Sequence, residues 1–143
     1  RPPTRRRGRA SGSGSEVRSN TVYQTAGDAL AITGATGVEV FDNILVADVG
    51  TALSVSADSF AGFQSDYNLL QTTSGAIGFW QGLSRPSLAA WRSGSGTDTN
   101  SLTGNPLFVD ADGADGFLGF VDAARDGRDD DFHLRSRFGR RGG

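Results

Sequence analysis

The sequence predicts an all-β fold: a fragment of a parallel β-helix, with its stacked coils closed by a short helix and terminal strands. Three observations point there. The stretch NTVYQTAGDALAI (residues 20–32) returns as NILVADVGTALSV (43–55), 23 residues later. Asn20/Asn43, Gly27/Gly50, Ala29/Ala52 and Leu30/Leu53 are identical pairs, and Val22/Leu45, Tyr23/Val46, Ala26/Val49 and Ile32/Val55 stay apolar. A fixed period of this size marks stacked units, none of which buries its apolar face alone. Within each copy apolar and polar residues alternate as in strands, and 21 scattered Gly residues argue against long helices.

Residues 1–15, RPPTRRRGRASGSGS, come first: a basic stretch running into a Gly/Ser linker, expected to be disordered because it holds no aliphatic residue larger than Ala10 to bury. Five of the 14 Arg lie in residues 1–9, which leaves nine Arg against 16 acidic residues in the remainder, a balance of −7. A body of that sign does not invite nucleic acid. No apolar run reaches the length of a membrane span, so membrane insertion is not expected. With no Cys there is neither a disulfide framework nor a thiolate metal site.

The repeat occupies residues 16–70, in a domain expected to run from 16 to 143. VEVF (38–41) and ALSV (52–55) read as strands, and Ala26–Asp28, Thr33–Gly37 and Asp48–Gly50 as the turns between them. About 23 residues is too short for a propeller blade, at about 40, and for a βαβ unit, at 30 or more. One coil of a parallel β-helix fits. SDYNLL (65–70) opens a third copy in which Asn68 follows Asn43 by 25 residues, so two residues enter around Ala57–Gly62. Asn20, Asn43 and Asn68 then share one corner, where their amides are expected to bond along the stack and tolerate a left-handed bend. Val22, Leu30, Ile32, Val38, Val40, Leu45, Leu53 and Val55 should point into a common core.

Beyond the repeat, SRPSLAAWR (84–92) predicts a helix of two turns, with Pro86 in its first turn, Ser84 as its cap and Leu88, Ala89 and Trp91 as its apolar stripe. Such a helix hides the open end of a coil stack, and Trp80 and Trp91 are expected to pack within that cap. The order SDYNLL, RPSLAAW (85–91), NPLFVD (105–110), DDDFHL (129–134) resembles the closing part of right-handed parallel β-helix repeat proteins of the pectin-lyase-like superfamily. The resemblance covers residues 17–134. It implies a right-handed β-helix, the C-terminal part of a longer solenoid, in which NPLFVD and DFHL are terminal strands.

Candidate chemistry is sparse. His133 is the single His, so a His-based metal site within the chain is excluded, and in DFHL it lies opposite Phe132 and Leu134. DADGADG (110–116) gathers Asp110, Asp112 and Asp115, hard oxygen donors of the kind calcium takes, but in a spacing that departs from the EF-hand. A Gly/Asp turn between strands is the plainer expectation. The superfamily's lyases use a basic residue beside a carboxylate and its glycosidases paired carboxylates. On that resemblance Arg18 and Arg92 are conceivable bases, and Asp42, Asp48 and Asp66 conceivable acids, with nothing in the sequence fixing two of them in one cleft. The expected function is therefore a non-catalytic structural or adhesive segment of a large, bacterial-type secreted or cell-surface protein, with polysaccharide as its partner class. The alternative is a piece of a polysaccharide lyase or glycoside hydrolase whose cleft lies in other coils.

Overall fold

A computed structural model describes residues 14–118 and 120–134. The chain divides into two units, residues 1–104 and 105–143. In the first, three successive segments each contribute one strand to each of three parallel sheets. The strands are β1 (Glu16–Arg18), β2 (Thr21–Ala26) and β3 (Leu30–Ile32), then β4 (Glu39–Phe41), β5 (Ile44–Val49) and β6 (Thr51–Val55), then β7 (Gln64–Asp66), β8 (Leu69–Thr72) and β9 (Ala76–Trp80). The sheets run β1-β4-β7, β2-β5-β8 and β3-β6-β9.

The register is the one the repeat dictates. Val22 pairs with Leu45, Tyr23 with Val46, Leu30 with Leu53 and Ile32 with Val55, each 23 residues apart. Between the second and third segments the offset becomes 25, as in Glu39 with Gln64 and Ile44 with Leu69. The two added residues fall between β6 and β7, where Ala57–Ser59 form a 3-10 turn. Inserting there leaves every ladder intact. One expected turn is tighter than its sequence implies: Asp48 and Val49 belong to β5, and Gly50 alone makes the bend into β6. Gly50 has φ 130°, and a Cβ on it would stand 2.3 Å from the Gly27 carbonyl oxygen of the preceding segment. Only glycine lets the backbones approach this closely.

All eight expected core residues meet. Ile32, Val38, Val40, Leu45, Leu53 and Val55 are buried together with Leu70, Ile77, Trp80 and Trp91, while Val22 and Leu30 pack against them half-buried. The asparagines bond along the stack as expected, but they do not make the bend. The left-handed residue is the one before each Asn: Ser19 (φ 57°), Asp42 (60°) and Tyr67 (56°). This leaves each Asn free to turn its amide along the stack.

After β9, Gln81 and Gly82 both take positive φ, as a two-residue type I′ hairpin requires, and β10 (Leu83–Arg85) folds back antiparallel onto β9. Ser84, expected as the helix cap, lies in this strand. Helix α1 (Leu88–Ser95) is capped instead by Ser87, whose side chain accepts from Ala90 N at 3.1 Å, and Pro86 precedes it. Gly96 ends the helix in the left-handed region at φ 71°. Leu88 and Trp91 form the buried face, whereas Ala89 points to solvent. Trp80 and Trp91 are packing residues: their rings meet edge-on at 5.8 Å, with Phe60 stacked on Trp80 at 4.1 Å.

In the second unit, β11 (Phe108–Asp110) pairs antiparallel with β14 (Asp131–Leu134), and β12 (Phe120–Asp122) with β13 (Arg125–Asp126). The strands expected in NPLFVD and DFHL are these β11 and β14. Phe108 meets Phe132 edge-on at 5.2 Å, while Leu134, expected on the same apolar face, stays exposed. The expectation for residues 1–15 falls mostly outside the described residues. Its end is ordered, because the Ser15 carbonyl accepts from Glu39 N at 2.9 Å.

Candidate functional site

A polar column stands behind one corner of the three-segment stack. Asn43 Oδ1 accepts from the backbone N and the Nδ2 of Asn20 at 3.0 and 3.1 Å, and Asn68 Oδ1 accepts from the same two atoms of Asn43 at 2.9 and 3.1 Å. Asn43 and Asn68 are buried, which requires every amide atom to find a partner. The column ends on residues the repeat does not supply. Asn68 Nδ2 donates to Asp98 Oδ1 at 3.1 Å, and Asn68 N donates to Ser101 Oγ at 2.8 Å. Asp98 also accepts from Trp91 Nε1 at 2.8 Å, which ties the helix to the column. Sequence reasoning missed Asp98 and Ser101 because SGTDTNS reads as a loop with no period to flag it.

In front of this column lies a shallow cavity of about 400 Å³ lined by Asp42, Asn43, Ile44, Tyr67, Asn68, Leu69, Asn100 and Leu102. Ile44, Leu69 and Leu102 are laddered neighbours and form its apolar floor, with the exposed Tyr67 ring at its edge. The 25-residue offset is enough to place Ile44 beside Leu69. The third member has no repeat signal.

The conceivable acids and bases are held in separate roles. Arg18 bonds Glu16 at 2.9 Å and Glu39 at 3.1 Å, reaches Asp42 at 4.0 Å and lies 4.6 Å from the centre of the Phe41 ring. The bond to Glu16 and then that to Glu39 raise its pKa, the wrong direction for a base. Arg92 is pinned to backbone carbonyls, its Nε to Asp98 O at 2.8 Å and its Nη2 to Ser101 O at 2.5 Å. Asp48 accepts from the Tyr23 hydroxyl at 3.2 Å and the Thr73 hydroxyl at 3.1 Å. Asp66 accepts from Asn100 N and Nδ2 at 2.7 and 2.8 Å and from Tyr67 N at 2.9 Å. Burial works against its charge, but the Asn100 and Tyr67 bonds outweigh it and hold the carboxyl below its ordinary range. Of the conceivable pairs, Arg18 and Asp42 come together, as an exposed ion pair.

In the second unit the acidic turn is stitched to itself. Asp115 N donates to Asp129 Oδ2 at 2.9 Å, and Asp115 Oδ1 accepts from Phe117 N at 2.8 Å. Burial pushes the Asp110 carboxyl above its usual range, and the nearby Asp112, Asp129 and Asp131 push it further. Among the described residues no group of three or more Asp, Glu, His or Cys side chains is arranged to hold a metal ion. His133 is exposed, its Nδ1 lying 2.6 Å from Asp131 Oδ1. No described helix is long and apolar enough to cross a membrane. No protein-family model, curated protein or solved structure matches this chain.

Proposed function

We propose that the three segments wind as a right-handed parallel β-helix and that the chain is a non-catalytic structural or adhesive segment of a larger secreted or cell-surface protein. The ligand class is polysaccharide. One observation carries the reading: the shallow cavity offers the exposed Tyr67 ring and the apolar side chains of Ile44, Leu69 and Leu102 beside the hydrogen-bonding groups of Asp42 and Asn100. A sugar ring has the same mixture, apolar C–H faces with hydroxyls around the edge, and aromatic and polar groups together set its orientation. Catalysis has less support: Arg92, Asp48 and Asp66 are engaged in holding backbone or neighbouring side chains, and Arg18, which pairs with Asp42, has its pKa raised by Glu16 and Glu39, the wrong direction for a base.

Calorimetric titration with a panel of neutral and acidic oligosaccharides tests the reading, with chain cleavage followed in parallel. Saturable binding without new ends is the expected result, and Tyr67→Ala should abolish it without moving the unfolding midpoint. Cleavage of any member would favour the lyase or hydrolase alternative, and failure of the whole panel would remove polysaccharide as the ligand.

A further inference from the structure

Charge is distributed unevenly at the corner cavity. None of the described residues lining it is basic, and Asp42 brings a carboxylate to its wall. Asp42 and Tyr67 hold the same place in successive segments, since Phe41 pairs with Asp66 on one side of them and Ile44 with Leu69 on the other. Both take the left-handed bend, at φ 60° and 56°. Their side chains therefore leave the stack from adjacent rungs, about 4.8 Å apart at the backbone. Each is open to solvent, the Asp42 side chain at 60% exposure and Tyr67 at 59%.

The polar groups that reach this cavity are acceptors lacking a donor. Among the described residues the Asp42 carboxylate accepts no hydrogen bond, and the Arg18 guanidinium comes no nearer than 4.0 Å, beyond bonding range. Arg18 is committed elsewhere, its Nε to Glu16 and its Nη2 to Glu39. One guanidinium thus faces three carboxylates, an excess of two negative charges beside the cavity. Asn100 donates through N and Nδ2 to Asp66, at 2.7 and 2.8 Å, and its Oδ1 receives no donor among the described residues.

A carboxylate, an unfilled amide oxygen and an open aromatic face are the groups that hold an ammonium ion. The first attracts its charge, the second takes one of its protons, and the third adds a cation–π contact. An ammonium carries three donors and no acceptor, the complement of these groups. A uronate is the reverse, a negative charge set against Asp42 with no cation in the lining to receive it. Building on the polysaccharide reading, we propose that the cavity selects a sugar unit bearing a protonated amine and excludes uronates. The ammonium is held by the Asp42 carboxylate, Asn100 Oδ1 and the Tyr67 ring, while Ile44, Leu69 and Leu102 take the apolar face of the sugar.

Calorimetry on the full chain compares three hexasaccharides in buffer that keeps amines protonated. They are β-1,4-linked glucosamine, β-1,4-linked glucose, which has a hydroxyl for each amine, and galacturonate. The glucosamine hexamer should bind about tenfold more tightly than the glucose hexamer, the worth of one charged contact, and galacturonate should not bind. Asp42→Asn should erase that difference and leave the glucose hexamer unchanged. Asparagine adopts the left-handed bend readily, so the fold is kept. Asp58→Asn removes a carboxylate outside the cavity lining and should leave the difference standing. Equal binding of both β-1,4 hexamers by the wild-type chain would overturn amine selection and leave the polysaccharide reading intact. A difference that survives Asp42→Asn, or that Asp58→Asn erases as well, would overturn it too, because overall charge would then be its source. Galacturonate binding tightest would reverse the assignment. Silence from all three hexamers would remove the polysaccharide reading along with it.

Discussion

Trp91 donates its indole N–H to Asp98 Oδ2 at 2.8 Å, and both residues are buried, at 0% and 1% exposure. Asp98 also takes Asn68 Nδ2 and the hydroxyls of Ser101 and Thr97. One carboxylate thus joins the helix, the asparagine column and the closing loop. Asp98→Ala leaves the Trp91 indole N–H and the Ser101 hydroxyl buried without their acceptor, at a cost of about 3 kcal/mol. Urea unfolding of the variant should show the midpoint lowered with an unchanged slope, and Asp98→Asn should lose less because it keeps one acceptor oxygen.

A Cβ at Gly78 would lie 2.0 Å from Trp91 Cε3, so the strand must be bare where the indole crosses it. Gly78→Ala should destabilise the fold by about 3 kcal/mol through overpacking. Trp91→Leu removes the obstructing ring but leaves a cavity. In the double variant the two losses should therefore sum to less than their separate values, the coupling expected of residues in contact. Strictly additive thermal unfolding data would contradict this contact.

Asp66 gives the first unit an acid-sensitive joint. The Asn100 and Tyr67 bonds depress its folded pKa despite opposing burial, so its stabilisation is complete above the unfolded value of about 3.9. It is lost as pH falls through the depressed folded value, because the unfolded chain takes up the proton first. Asn100→Ala removes one of the two Asn100 donors and should flatten the stability profile below about pH 4. At neutral pH the variant should be modestly less stable, as followed by thermal denaturation across the pH range.

Asp110 works in the opposite direction. Burial and then Asp112, Asp129 and Asp131 raise its folded pKa, so its favourable contribution is present below the unfolded value and is lost as pH rises through the folded one. Asp110→Asn should therefore raise the unfolding midpoint at pH 7 and leave it unchanged in strong acid. Millimolar calcium and chelator should give the wild-type chain superimposable unfolding curves. A site with a micromolar dissociation constant would instead add about 4 kcal/mol at a thousandfold excess of calcium.

The sequence alone determined the period, and with it the β pairing. Because side chains alternate along a strand, a 23-residue repeat with matched apolar positions has one register that buries Leu30 with Leu53 and Ile32 with Val55. The two-residue insertion near Ala57 and the packing roles of Trp80 and Trp91 were legible for the same reason: they are local patterns of apolar and turn residues. The tertiary structure decided what has no period. Asp98 and Ser101 close the asparagine column from a loop whose sequence resembles any polar linker, and only the helix that carries Trp91 brings that loop to Asn68. The cap fell to Ser87 over Ser84 because a hairpin through Gln81 and Gly82 consumed Ser84 in a strand first. The left-handed bend fell to Ser19, Asp42 and Tyr67 because each Asn must keep its amide aligned with the stack. The corner cavity, likewise, exists only because Leu102 returns beside Leu69 from 33 residues away, a meeting made by long-range hydrogen bonds rather than by any sequence pattern.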